Sequence, residues 1–127
     1  MATLTTQIPT LGDDITPSAQ AISAADKFAA TAGRWLLYYK GGGSTNISTI
    51  FALNANTAAP AGTVPAAGTG GTNWPDLRLS NGIGASTDGL CVIDNAATYA
   101  DATGFVNLKH NGTLTGATVS IFGPFTT

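Results

Sequence analysis

The sequence predicts an all-β protein, a small β-sandwich or barrel, on two observations. Short apolar or alternating segments recur along the chain, and Gly, Pro or Asn-Gly turn signals separate them. A series of about six to eight short antiparallel strands spaced in this way is typical of sandwiches and barrels. The chain has 127 residues, which is the length of a single domain.

Residues 1–19 have the character of an extended N-terminal arm that precedes a single β-domain over residues 20–127. Pro9 and Pro17 bias the residues before them away from helix. The apolar side chains here are too sparse for a folded unit, but they suit docking into pockets of a partner or strand addition to its sheet. The predicted partner-binding residues of the arm are Leu4, Ile8, Leu11 and Ile15. A disordered N-terminus fits the same pattern.

The next segments lead into the clearest strand of the chain. Residues 20–24 suit either a short strand or a helix, and Asp26 is a candidate cap for a helical turn. In the segment Arg34–Lys40, both faces of a strand would carry apolar residues, which predicts a central strand. A glycine-rich turn separates it from the β-branched and aromatic Asn46–Leu53, so we expect an antiparallel hairpin.

Residues 54–73 form a long, uncharged stretch rich in Ala, Pro and Gly. A loop of this length within a compact domain is usually functional or disordered. Two large apolar side chains are candidate contacts with a partner: Val64 within the loop and Trp74 directly after it.

Further strands are predicted at 76–79, 90–93, 105–110 and 117–122. Asn81-Gly82 and Asn111-Gly112 are tight-turn signals, so His110 is expected to be exposed beside a turn. Cys91 has no second cysteine to pair with and is expected to be a small buried hydrophobe. The predicted core consists of Trp35, Leu37, Ile47, Phe51, Leu90, Val92, Val106, Leu108, Val119 and Ile121.

The chain is poor in the side chains that perform catalysis. It has seven Asp, no Glu, one His and one Cys, and only 9% of its residues are charged. Enzyme active sites are usually built from several convergent titratable groups. We therefore predict no enzyme, with no catalytic, cofactor-binding or metal-ligating residues and no cofactor. A calcium site of Asp side chains and carbonyls stays open, as does sugar stacking on Trp35, Tyr38, Tyr39 and Trp74.

The charge pattern limits the classes of partner that the chain is expected to bind. The net charge is −2 and the five basic residues are scattered, which argues against nucleic acid as a partner. No apolar stretch is long enough for a bilayer span and no signal peptide is recognisable, so we expect synthesis in the cytoplasm and no membrane association. Long uncharged segments favour an assembly in which bare surface is covered. A secreted-type β-module solvated by its hydroxyl groups is the alternative.

Three stretches carry a resemblance to a known family. They are the Thr-rich opening that leads into residues 16–28, the Gly-Arg entry into an apolar strand over 32–42, and the closing Phe122-Gly123-Pro124-Phe125. In these stretches the chain resembles the small decoration (cement, or minor capsid) proteins of tailed double-stranded DNA phages, particularly those that infect actinobacteria.

The resemblance implies a structural protein on the exterior of the virion. Its partner would be the major capsid protein, and it would clamp neighbouring capsomers on the expanded shell. The family often forms trimers, so a homo-oligomer is expected, with a trimer favoured. Multivalent contacts would supply the avidity. Two other classes remain open: a carbohydrate-binding or adhesion module, and another virion part such as a tail-tube or head–tail joining protein.

Overall fold

The computed structural model describes residues 2–8, 17–53, 77–80, 82–101 and 103–125. Within these residues the chain forms ten strands and one short 3-10 turn, Ala96–Thr98. The strands are β1 Ala2–Leu4, β2 Gln20–Ala21, β3 Ala25–Ala29, β4 Arg34–Lys40, β5 Asn46–Leu53, β6 Leu77–Ser80, β7 Ile83–Gly84, β8 Asp88–Ile93, β9 Phe105–Thr113 and β10 Thr118–Phe125. The predicted all-β class is confirmed, with slightly more strands than expected.

The strands form two sheets that enclose one core. The six-stranded sheet has the order β1-β3-β9-β5-β6, with β7 also paired to β5. The four-stranded sheet has the order β2-β10-β4-β8. All strand pairs are antiparallel except β1 with β3, which is parallel. The architecture is therefore a β-sandwich.

The predicted hairpin between β4 and β5 is wrong. β4 lies in the four-stranded sheet and β5 in the six-stranded one, so the chain crosses the sandwich between them. The Thr45 hydroxyl holds this crossing in place, because its oxygen lies within hydrogen-bond distance of the carbonyls of Gly42 (2.6 Å) and Thr115 (2.8 Å), either of which can accept its one proton. Placing the two strands in opposite sheets lets one apolar face of each strand meet the other in the core.

The tight turn predicted at Asn111-Gly112 is also wrong, whereas Asn81 of the other Asn-Gly signal lies outside the described residues. β9 continues through Asn111 and Gly112, where its register with β5 shifts at a bulge, and Gly112 supplies the positive φ of 109° there. The chain reverses later, where Ala117 N–H donates to the Leu114 carbonyl. At Asn81-Gly82 the flanking β6 and β7 both pair antiparallel with β5, so the chain runs on along one edge.

Most of the predicted core is confirmed. Seven of its members are buried: Trp35, Leu37, Ile47, Val106, Leu108, Val119 and Ile121. Phe51 is only half-buried. The prediction for β8 is wrong, because Leu90 and Val92 are exposed while Cys91 and Ile93 are buried. Cys91 is thus a buried residue, as expected.

The described part of the N-terminal segment belongs to the sandwich. β1 pairs with β3 at one edge of the six-stranded sheet. Gln7 then bridges to β10 in the four-stranded sheet: its N–H donates to the Ile121 carbonyl at 2.8 Å, and its carbonyl accepts from Gly123 at 2.9 Å. The segment therefore ties the two sheets together, and Leu4 lies in the core of its own chain at 5% exposure.

Candidate functional site

The only histidine, His110, lies in a buried polar cluster rather than at an exposed turn. Its Nδ1 is 2.7 Å from the Ser23 carbonyl, and its Nε2 is 2.8 Å from the Tyr39 hydroxyl. A carbonyl oxygen only accepts, so Nδ1 carries the proton; in the neutral ring Nε2 then accepts from Tyr39. Burial lowers the pKa of His110, against the opposing effects of the Ser23 hydrogen bond and the Asp26 charge.

Asp26 completes this cluster and does not cap a helix. It lies within β3, fully buried, and one of its carboxylate oxygens is 3.5 Å from His110 Nδ1. The backbone N–H of Ser23 donates to it at 2.8 Å, and the Ser23 hydroxyl donates at 2.5 Å. The side chains of Asp26 and His110 are both fully buried. The cluster joins β3, β4 and β9 across the core, and it offers no imidazole to a substrate in solution.

In the part of the chain that the structure describes, the other chemical candidates do not converge either. Among the described residues, no group of three His, Cys, Asp or Glu side chains is placed to hold a metal ion. Asp101 is used inside its own loop. Burial raises its pKa, but hydrogen bonds from Thr103, Asn107 and the Phe105 N–H outweigh that effect and lower it. Asp13, Asp14 and Asp76 lie outside the described residues.

The proposed sugar platform is not formed by the aromatic residues of β4. Trp35 and Tyr39 face the core, at 3% and 0% exposure, while Tyr38 lies on the opposite face of the strand. Burial also raises the pKa of Tyr39 well above its usual range. Trp74 lies outside the described residues, as does Val64. The predicted partner contacts of the loop over 54–73 therefore stay predictions.

The surface feature that does stand out is the outer face of the four-stranded sheet at β8. Leu90 and Val92 are 65% and 46% exposed, and their neighbours on β4, Tyr38 and Leu36, are half-buried. Leu90 lies opposite Tyr38, and Val92 opposite Leu36. We call these four residues the β8 patch. Apolar side chains that are contiguous on a surface commonly mark an interaction site.

Polar groups border the β8 patch at both ends. The Tyr38 hydroxyl donates to Asp88 at 2.7 Å, and this hydrogen bond, followed by desolvation and the negative charge, raises the pKa of Tyr38. At the other end Arg34 Nε donates to Asp94 Oδ1 at 2.7 Å. The patch is thus an apolar strip between two partly exposed carboxylates.

A third exposed apolar residue lies on the other side of the same sheet. Ile8 is 73% exposed and follows Gln7, which bridges to Phe122 of β10. Ile8 borders a groove of about 440 Å³, which Trp35 and Pro124 also line. Of the predicted arm contacts, the structure therefore leaves Ile8 available, buries Leu4 inside its own chain, and does not describe Leu11 or Ile15.

Sequence reasoning missed the β8 patch because both faces of β8 are apolar. A signal was present: Asp88 and Asp94 share the even-numbered face with Leu90 and Val92, whereas the odd-numbered face carries no charge. Strand side chains alternate, so charges at both ends of one face mark it as the solvent face.

The chain matches no protein-family model, no curated protein and no solved structure. None of the helical structure in the described part of the chain is long and apolar enough to cross a membrane.

Proposed function

We propose that this protein is a structural virion component that binds the outer surface of a phage capsid and stabilises it by bridging neighbouring capsomers. The observation that carries the proposal is a pair of exposed apolar contacts at opposite edges of one sheet. Ile8 follows Gln7, which bridges to β10 on the side away from β4, and Leu90 and Val92 lie on β8 at the opposite edge. A protein with contacts on two sides is suited to hold two neighbours together.

The separation of the two contacts follows from the strand order. Gln7 pairs with Phe122, Phe122 with Leu36, and Leu36 with Val92, so three strand spacings separate the two edges. At roughly 4.8 Å per spacing this is about 14 Å. Two subunits that meet beneath the sheet could each contact one edge, and linking the two contacts in one rigid body raises the total affinity far above that of either.

The chemistry of the chain supports a binding role over a catalytic one. His110 is the only histidine, and its side chain is fully buried in the polar cluster with Asp26. General acid–base catalysis needs a group within hydrogen-bond reach of the substrate. The low content of charged residues suits surfaces that become covered on assembly. The major capsid protein as partner, the trimeric state and the position on the virion exterior come from the resemblance.

The proposal is tested by co-sedimentation of the purified protein with expanded, undecorated capsids. We expect the wild type to sediment with the capsids and the double variant Leu90→Ser/Val92→Ser to bind at least about tenfold more weakly, because two apolar contacts are lost. Ile8→Ser should weaken binding through the other edge. Lys109→Ser, an exposed change on the six-stranded sheet, is the matched control and should bind normally. A wild-type protein that stays in the supernatant at saturating capsid concentration would overturn the proposal.

A further inference from the structure

Within the described residues, the edge of β8 that faces away from β4 has no partner strand. Gly41 N–H donates to the Thr87 carbonyl at 2.9 Å, in register with the β4–β8 ladder. In antiparallel pairs, residues that exchange hydrogen bonds alternate with residues that do not. The N–H and C=O groups of Gly89, Cys91 and Ile93 therefore face β4, whereas those of Asp88, Leu90 and Val92 face away from it. Among the described strands β8 pairs only with β4.

The residues with outward backbone groups are the same ones that carry the exposed apolar side chains. Leu90 and Val92 thus present two N–H donors, two carbonyl acceptors and two apolar side chains along one edge. Their flanks on the same face, Asp88 and Asp94, are exposed carboxylates. An edge strand of this kind is a template for the addition of another strand.

The strand on the other side of β8 shows which chemistry complements it. β4 places basic residues beside the acidic residues at the two ends of β8, Asp88 within the strand and Asp94 directly after it, and an apolar or aromatic residue opposite each apolar one. The pairs are Arg34 with Asp94, Leu36 with Val92, Tyr38 with Leu90 and Lys40 with Asp88. The outer face of β4 therefore reads basic, apolar, aromatic, basic, at alternate positions.

We propose that the open edge of β8 binds one antiparallel strand of a partner protein whose alternate side chains repeat this pattern: basic, apolar, apolar, basic. The open backbone groups of Leu90 and Val92 would form the hydrogen bonds, and the apolar side chains would extend the β8 patch. The basic residues would lie beside the exposed carboxylates of Asp88 and Asp94. This inference goes beyond the proposed function, because it holds for any partner that carries such a strand.

A second copy of β8 is a poor occupant of the same edge. The antiparallel register that places Leu90 of each copy opposite Val92 of the other also places Asp88 opposite Asp94, twice. Like charges directly opposite one another destabilise a strand pair. Charge complementarity therefore favours a basic partner strand over self-association.

The test uses a fluorescein-labelled, capped peptide with the sequence of Arg34–Lys40, RWLLYYK, as the probe. We expect saturable binding to the full-length protein in fluorescence polarisation, with new protection of the Leu90 and Val92 amides in hydrogen exchange. Two control peptides isolate the causes. A peptide with glutamate at both ends should bind at least about tenfold more weakly, because its charges repel Asp88 and Asp94. A peptide that is N-methylated at the amides facing β8 should not bind, because it lacks the backbone donors.

A variant of the protein removes the open edge with little change to the sandwich. In Val92→Pro the lost N–H is one that points away from β4, and proline is tolerated at such edge positions. We expect this variant to keep its thermal unfolding transition and to lose peptide binding. Leu90→Ser is the second variant should Val92→Pro not fold, and it should bind at least about tenfold more weakly.

Three results would overturn the inference. The first is that the peptide does not bind at about 1 mM, a concentration that would detect a binding free energy of only about 4 kcal/mol. The others are binding that the folded variants leave unchanged and dimerisation of the protein through β8. No capsid is present, so the outcome is independent of the co-sedimentation experiment. A failure here with normal capsid binding would show that the capsid contact does not use strand addition at β8, and the reverse result would show a strand-binding edge whose partner is another protein.

Discussion

The buried His110 should make the stability of the protein depend on pH between about 5.5 and 7.5. Burial lowers its pKa in the folded state, below the ordinary value of 6.5. The folded protein keeps the neutral ring, with Nε2 accepting from Tyr39, whereas the unfolded chain takes up a proton as the pH falls. Stability is therefore fully present above pH 6.5 and is lost as the pH falls below that value toward the lowered pKa of the folded state.

The size of the effect follows from proton linkage. His110 is the only histidine, so at most one proton separates the two states in this range. One proton corresponds to about 1.4 kcal/mol per pH unit at the steepest point. With an unfolded-state pKa near 6.5, the loss of unfolding free energy between pH 7.5 and 5.5 is at most about 1.4 kcal/mol.

Urea unfolding at the two pH values, followed by circular dichroism, measures this difference. In His110→Gln the dependence on pH should disappear, while the overall stability falls by about 1–3 kcal/mol because a buried hydrogen-bond network is disrupted. Tyr39→Phe is the matched control: it lowers stability through the same network but keeps the histidine, so the dependence on pH should remain. Equal stability of the wild type at both pH values, or an unchanged dependence in His110→Gln, would refute this account.

Two further predictions concern packing in the four-stranded sheet. A Cβ added at Gly123 would lie 2.5 Å from Trp35 Cε3, so Gly123→Ala should lower stability by about 1–3 kcal/mol in thermal unfolding. Gly84→Ala is the control: its added Cβ would lie 3.7 Å from the nearest atom, so this variant should lose less than about 1 kcal/mol. Burial raises the pKa of the Cys91 thiol to about 11, so a thiol reagent at pH 8 should label it only after unfolding. Leu90→Cys on the exposed face should add one rapidly labelled thiol; rapid labelling of Cys91 in the wild type would contradict the assigned faces of β8.

The strands that could be predicted are those with a strong period-2 pattern. In β4, Trp35, Leu37 and Tyr39 share the face that is buried in the structure. In β9 and β10, Val106, Leu108, Val119 and Ile121 are buried on the same basis. These predictions succeed because the alternation of side chains is local and these residues are apolar members of one face.

The errors occur where the decision is not local. The face of β8 depends on its register with β4, where Cys91 lies opposite Leu37 and Ile93 opposite Trp35. The apolar residues of β8 alone do not distinguish its two faces, and the one local signal is the pair of charges at Asp88 and Asp94. The position of His110 depends in the same way on contacts distant in sequence, because its partner Ser23 is 87 residues away.

The sequence by itself determined that this chain forms short strands with an apolar interior and few titratable groups, because composition and side-chain alternation are properties of the chain alone. Only the tertiary structure decided which strands pair. It placed β4 and β5 in opposite sheets, closed the Asp26–His110 cluster inside the core, and turned Leu90 and Val92 outward. The physical reason is that a strand with two apolar faces buries the one that its neighbours cover, and those neighbours are distant in sequence.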